Sequence, residues 1–344
     1  MSYFNKPSSP FFHQQTSVAN VMRQVIYALV PGILVSTWIL GWGVLIQCLI
    51  AITFAGIFEA LILSIRKLPV KTFLFDGSAI VTALLFAITI SPYSPWWVNM
   101  SGIFFAIVIA KHIYGGLGYN LFNPAMAGYI FVLLCFPVEM NIWPVIKSMA
   151  DFDVGIIDTL TIIFTGQPLV TGIDNISGAT PLGYMKSQLN TMSMISEIRS
   201  SPLFGSMGGK GWEWISFAWV AGGAWLFIKR IITWHLPVTF LASLFTFSLL
   251  FYWYDSDIYL SPLFTLLTGG TMLAAFFIVT DPVTASTTPR GRIYYAAGIG
   301  LLTYIIRTWG GYPDGIAFAV LIMNAAVPLI DTYTRQPVFG ESVK

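Results

Sequence analysis

Residues 43–65 read GVLIQCLIAITFAGIFEALILSI. One charged side chain, Glu59, interrupts this run. As a helix the run would extend about 34 Å, and the hydrocarbon layer of a bilayer is about 30 Å thick. On either side of it, apolar runs recur at roughly 22–40, 77–91, 97–110 and 121–137, and again at 213–228, 235–253, 262–280, 293–307 and 315–331, ten in all. Composition agrees: 56% of the 344 residues are hydrophobic and 9% charged, where a soluble domain carries about 25% charged residues. A larger core does not explain the gap, because a folded surface must still be wetted. A soluble globular enzyme, a disordered chain and a nucleic-acid binder are thereby excluded, and the short alternating segments of a membrane barrel are absent. The expected fold is an all-α polytopic membrane protein of about ten transmembrane helices.

Lysine and arginine set the orientation. With the N-terminus inside, the inner segments hold Lys6, Arg23, Arg66, Lys67, Lys71, Lys111, Lys229, Arg230, Arg290, Arg292, Arg335 and Lys344, against Lys147, Lys186, Arg199, Lys210 and Arg307 outside, a split of 12 to 5. Four of those five fall in one long loop, where the rule hardly counts. Both termini are expected in the cytoplasm, and no cleavable leader is visible in Met1–Asn20. The chain then divides into a cytoplasmic segment (1–21), five spans (22–137), an outer loop (138–212), five spans (213–331) and a cytoplasmic tail (332–344). The loop holds ten charges: Glu139, Lys147, Asp151, Asp153, Asp158, Asp174, Lys186, Glu197, Arg199 and Lys210. A connection of that length usually carries function.

The two halves echo each other. Gly77-Ser78-Ala79-Ile80-Val81 resembles Gly270-Thr271-Met272-Leu273-Ala274, and Tyr114-Gly115-Gly116 with Asn123-Pro124-Ala125 resembles Trp309-Gly310-Gly311 with Asn324-Ala325-Ala326. Five spans per half forces opposite orientations, so the expectation is two inverted five-helix repeats, a transporter pattern in which short or Gly-interrupted spans mark the site. The glycines can equally serve close helix packing.

Chemistry concentrates in the outer loop, at Asp174-Asn175-Ile176-Ser177-Gly178-Ala179-Thr180-Pro181. This D-x-x-S-G-A-T run resembles the acceptor signature of flavin transferase, D-x-x-[S/T]-G-A-T, whose last threonine is esterified to FMN. Gly178 and Ala179 are small enough for an external enzyme to reach Thr180, and Pro181 is expected to stop helix formation and hold the hydroxyl on a turn. A threonine hydroxyl needs a base. The loop contains no histidine, so the base comes from the transferase. Its product would be a phosphodiester from the Thr180 oxygen to the ribityl chain. Read without the resemblance, the same run is a polar turn in which Asp174 and Ser177 bond their own backbone.

With that motif between two sets of five spans, the chain resembles the family of the D subunit of Rnf ion-translocating electron-transport complexes and is similar to the B subunit of the sodium-pumping NADH:quinone oxidoreductase. The resemblance covers nearly the full length. It implies covalent FMN at Thr180 and a second, non-covalent flavin (riboflavin) in the membrane part. It also implies a bacterial inner membrane with the flavin loop in the periplasm, and other membrane and peripheral subunits relaying electrons between ferredoxin and NAD. Sodium or proton movement would be coupled to that transfer, with no catalysis by the isolated chain. The alternative is a secondary transporter or channel with inverted repeats and no redox cofactor; a third reading is an assembly scaffold.

Other residues carry weaker expectations. Glu59, inside a span, is either part of an ion path or paired at the interface with Arg66, less than two turns away. Asp76 reads as a helix cap or a cation ligand, and Asp281 as a helix end bridged to Arg290 and Arg292. Lys111 and His112 read as interfacial, or His112 as a proton carrier. Asn123 and Asn324 line a midplane site, bind a flavin ring edge or join helices by hydrogen bonds. Cys48 and Cys135 read as small buried hydrophobes, in neither a disulfide nor a metal site. No P-loop, Rossmann glycine pattern, H-E-x-x-H or C-x-x-C occurs, so NAD and iron–sulfur clusters belong to partners.

Overall fold

The computed structural model describes residues 17–150, 154–168 and 172–335. Lys6, Lys344 and the loop carboxylates Asp151 and Asp153 lie outside the described residues, as do the start of the N-terminal segment and most of the tail.

Every apolar run is occupied by helix. In chain order the elements are α1 (Val18–Leu40), α2 (Gly43–Ile65), α3 (Val70–Leu74), α4 (Ser78–Thr89), α5 (Trp96–Ile113), α6 (Pro124–Cys135) and α7 (Pro137–Asn141). In the connecting segment stand β1 (Trp143–Pro144), α8 (Ile156–Thr165), β2 (Ser177–Gly178), α9 (Pro181–Asn190) and α10 (Ile195–Ile198). Then come α11 (Trp212–Ile228), α12 (His235–Tyr254), α13 (Pro262–Leu267), α14 (271–278), α15 (Pro289–Trp309) and α16 (Ile316–Thr334). Five of these, α1, α2, α5, α12 and α16, are long and apolar enough to cross a membrane.

Local chemistry explains where helices start. Four begin with a capping side chain followed by proline: Asn123-Pro124, Thr180-Pro181, Ser261-Pro262 and Thr288-Pro289. The cap satisfies a free N–H, and proline loses nothing at the first helical position because its missing N–H has no intrahelical partner there. Pro181, expected to stop a helix, opens one instead for this reason.

One of the runs is broken and another is short. The run expected at 262–280 breaks between α13 and α14 at Gly269, which takes φ +70°, and Gly270. The run expected at 77–91 is the twelve-residue α4, preceded by the short α3 and by Gly77 at φ +82°. The second half of α5, residues 105–113, is wound as a π-helix.

Packing brings α1 against α11, α2 against α4 and α5, α6 against α5 and α16, and α15 against α12 and α16. Close approach demands small residues: a Cβ on Gly222 of α11 would collide with the carbonyl oxygen of Ala28 in α1. Cys48 is buried as expected, but Cys135 is exposed at the end of α6.

Candidate functional site around Thr180

The segment connecting α7 to α11 is folded. Its Ser177–Gly178 strand pairs antiparallel with Trp143–Pro144, Gly178 opposite Trp143. Ile176, just before, is buried against Tyr93 and Ile162. Asp174 is exposed in a single turn of 3-10 helix. This pairing delivers Ala179 and Thr180 to the edge of a cavity of about 380 Å³. Asp174, Ser177 and Gly178 do not line it.

Thr180 is half-buried and is the N-cap of α9: its Oγ1 accepts from Gly183 N at 3.1 Å, and its carbonyl accepts from Tyr184 N at 2.8 Å. The cavity runs from there between the two halves of the chain. Trp143 and Trp212, rings 5.7 Å apart, stand on its wall with Tyr129, Thr268 and Asp314. Thr268 is 1% exposed and its Oγ1 has no partner. A buried hydroxyl without a partner is costly, so one beside this cavity marks a place for a polar ligand atom.

Asp314 organises the floor. Both carboxylate oxygens accept from Arg307, at 3.1–3.2 Å, and Oδ2 also accepts from Gly270 N at 3.0 Å, closing the break between α13 and α14. Arg307 Nη1 donates to Thr265 O at 2.9 Å. From α9, Lys186 Nζ donates to the carbonyls of Ile306, Arg307 and Tyr312 at 2.9–3.3 Å. Burial lowers the Lys186 ammonium below the ordinary lysine range. Thr180 therefore sits on a helix tied at one side chain to the end of α15 and, through it, to the break. The sequence marks Arg307 only by its place in the topology and does not mark Asp314. The nearby echo Trp309-Gly310-Gly311 is the signal that points to this corner.

A second cluster surrounds Glu59. It is buried on α2, with Lys111 Nζ 2.8 Å from Oε1 and His112 Nε2 3.0 Å from Oε2, the latter contact too poorly aligned for a hydrogen bond. Lys111 also donates to Ser78 Oγ at 2.9 Å. Lys111 and His112, expected at the interface, are instead buried, because the π-helical end of α5 turns both toward α2. Arg66 does not pair with Glu59. It donates to Gly115 O at 3.1 Å and His112 O at 3.4 Å. Asp76 acts locally, accepting from Ser78 N at 2.7 Å across Gly77, which itself takes the N-cap position of α4.

Asp281 forms no bridge to Arg290 or Arg292. Its carboxylate accepts from Thr284 Oγ1 at 2.9 Å and Val283 N at 3.1 Å, with Asn123 Nδ2 at 3.4 Å. The arginines stand on α15, and Arg292 turns to Ser286 O and Thr233. Asn123 and Asn324, equivalent in the two echoes, meet directly: Asn123 N donates to Asn324 Oδ1 at 3.1 Å, and Asn324 Nδ2 donates to Tyr295 Oη at 2.8 Å. The hydrogen bonds between helices expected of this pair are formed.

Comparison with known proteins extends over the whole fold. The sequence profile of the NQR2, RnfD, RnfE family matches residues 5–340. The chain is 48% identical over 341 residues to the D subunit of the ion-translocating oxidoreductase complex of Aliivibrio salmonicida, covering 97% of each chain. It is 46% identical over 346 residues to proteins of the same name from Escherichia fergusonii, covering 98% of each chain, and from Citrobacter koseri, covering 98% of this chain and 99% of that one. On a match of this length and identity, the chain belongs to the NQR2, RnfD, RnfE family.

Proposed function

We propose that this chain is the D subunit of a bacterial inner-membrane ion-translocating oxidoreductase complex and that it bears FMN on Thr180 through a phosphodiester. The carrying observation is the position of Thr180, at the N-cap of a ten-residue helix and the mouth of a cavity. The first-turn N–H groups of α9 and its dipole favour a phosphate group at that point. The cavity wall suits a planar aromatic group: Trp143, Trp212 and Tyr129 offer ring surface, and Thr268 Oγ1 lacks a partner. FMN, when bound, supplies one- and two-electron redox chemistry. The chain's part is to hold the phosphate, exclude water with its tryptophans, and fix charge through Asp314 and Arg307.

The membrane part is read as ten spans in two inverted repeats, N-terminus inside, flavin loop in the periplasm. The packing supports this: α1 and α11, first helices of the two halves, pack together, and so do α6 and α16, the last. Elements that meet their own equivalents lie on a pseudo-twofold axis. Within the first repeat, Glu59 with Lys111 and His112 holds a proton-exchangeable cluster, our candidate for the ion path. A second, non-covalent flavin in the membrane part, sodium or proton as the moved ion, and partner subunits on the ferredoxin and NAD sides complete the reading. Flavin transferase attaches the cofactor.

The test is in-gel fluorescence. The purified chain, matured with the transferase, fluoresces under ultraviolet light on a denaturing gel, and Thr180→Ala is dark. A dark wild-type band favours a transporter without a redox cofactor. Electron flow that persists at the wild-type rate in a Thr180→Ala complex favours a scaffold.

A further inference from the structure

We infer that α8, although it belongs to the connecting segment between the two halves, lies against the acyl chains of the lipid bilayer and seals the junction between α4 and α5 from them. The need for a seal follows from length. Twelve residues carry α4 about 18 Å, well short of the ~30 Å hydrocarbon layer. Residues 90–95, which join α4 to α5, meet α2 at its first turns, Pro92 lying against Gly43, and non-helical backbone at the edge of the hydrocarbon layer is tolerated only when buried in protein. They are so buried: Gln47 of α2 donates to Ser94 O at 2.5 Å and Pro92 O at 3.5 Å, and Tyr93 packs against Ile162 of α8.

The position of α8 is fixed by α2 and α5. It packs along α2, and its Phe164 ring stacks at 6.4 Å on Trp96, which stacks at 6.4 Å on Phe54. Phe54 lies eleven residues into α2 from Gly43, about 16 Å along the helix. Trp96, at the start of α5, thus bridges α8 to the side of a helix long and apolar enough to cross a membrane.

The outer face of α8 has the chemistry of a lipid contact. Ile162, Ile163 and Thr159 face the protein, while Ile157, 72% exposed, Ile156, Leu160 and Phe164 face away. The threonine hydroxyls satisfy themselves within the helix or at its start: Thr159 to Gly155 O, Thr161 to Ile157 O and Thr165 to Thr161 O, at 2.7–2.8 Å. None of the three hydroxyls is thereby left needing water, which a lipid surface would not supply. The one charge, Asp158, sits in the first turn, where the helix dipole favours it. The exposed face continues the apolar surface that α2 presents through Leu49 and Ile57.

Single cysteines test this, carrying a polarity-sensitive fluorophore in the full chain assembled in its complex and reconstituted in liposomes. Ile157→Cys and Leu160→Cys are made with Cys135→Ala, the buried Cys48 being left in place. Met192→Cys, at a 94% exposed position in the same connecting segment, is the aqueous control. Both α8 probes are expected to be quenched several-fold more strongly by nitroxides on phospholipid acyl chains than by aqueous iodide, and Met192→Cys to show the reverse. Strong iodide quenching on α8 would overturn the inference by placing the face in water. Protection from both quenchers would overturn it by showing a neighbouring subunit on that face. Covalent flavin on the same samples is read separately by gel fluorescence, so loss of one result does not imply loss of the other.

Discussion

Asp314 and Glu59 each hold a cation beside an interrupted helix, yet their surroundings differ. The side chains of Glu59 and Lys111 are 2% and 3% exposed, and Lys111 reaches the start of α4 at Ser78. The Asp314 side chain is 26% exposed on the wall of the Thr180 cavity, and it caps the break at Gly270 while Arg307 stays buried behind it. The first pair is shut off from water in this conformation, with His112 as its further neighbour. The second has one partner within reach of whatever fills the cavity. In a sealed pair, the charges depend on each other almost entirely; at a cavity edge, water and ligand share the load.

The largest effect therefore belongs to the sealed pair. Lys111→Met leaves the Glu59 carboxylate with His112 as its one ionisable neighbour and costs about 3–5 kcal/mol, while Glu59→Leu combined with Lys111→Met recovers most of that loss. Thermal unfolding of the three purified variants checks this, and single losses under about 1 kcal/mol would mean that the cluster is hydrated. Asp314→Asn is smaller, about 1.5–3 kcal/mol, because it removes a charge-assisted hydrogen bond beside partly wetted space. Its signature is local: faster amide exchange at Gly270 and Thr271, where the break loses its cap. Equal exchange in the two proteins would show that the carboxylate does not hold the break.

The smallest effect concerns Lys186, and pH exposes it. Burial lowers its ammonium, so between that lowered value and the ordinary ~10.4 the unfolded chain binds more protons than the folded one. Stability contributed at this site rises with pH across that window. The wild type should gain in melting temperature relative to Lys186→Met as the pH is raised from about 8 to about 10. A difference that stays flat, or runs the other way, would show that the three carbonyls dominate over burial.

What is legible in the sequence follows the range of the forces involved. Apolar runs announce helices locally, and all ten expected runs are helical. The flavin-like motif is a string of adjacent residues and reads directly. The capping role of Thr180 is within reach too, since Asn123-Pro124 and Thr288-Pro289 repeat the pattern. Partnerships are not. Glu59 signals that it needs a cation, but Arg66 is nearer in sequence than Lys111, and only a π-helical turn in α5 brings Lys111 and His112 inward. Asp281 meets the same difficulty: the nearby arginines suggest a bridge, whereas three polar neighbours satisfy it without one. The connecting segment reads as a loop because its elements are short, and their stability comes from packing against α2 and β1.

The covalent state of Thr180 decides the rest, and one mass answers it. A peptide spanning Thr180, cut from protein matured in cells that hold the transferase, should carry the added mass of one FMN joined with loss of water. The same peptide recovered wholly at its unmodified mass would contradict a flavin-bearing role for this chain.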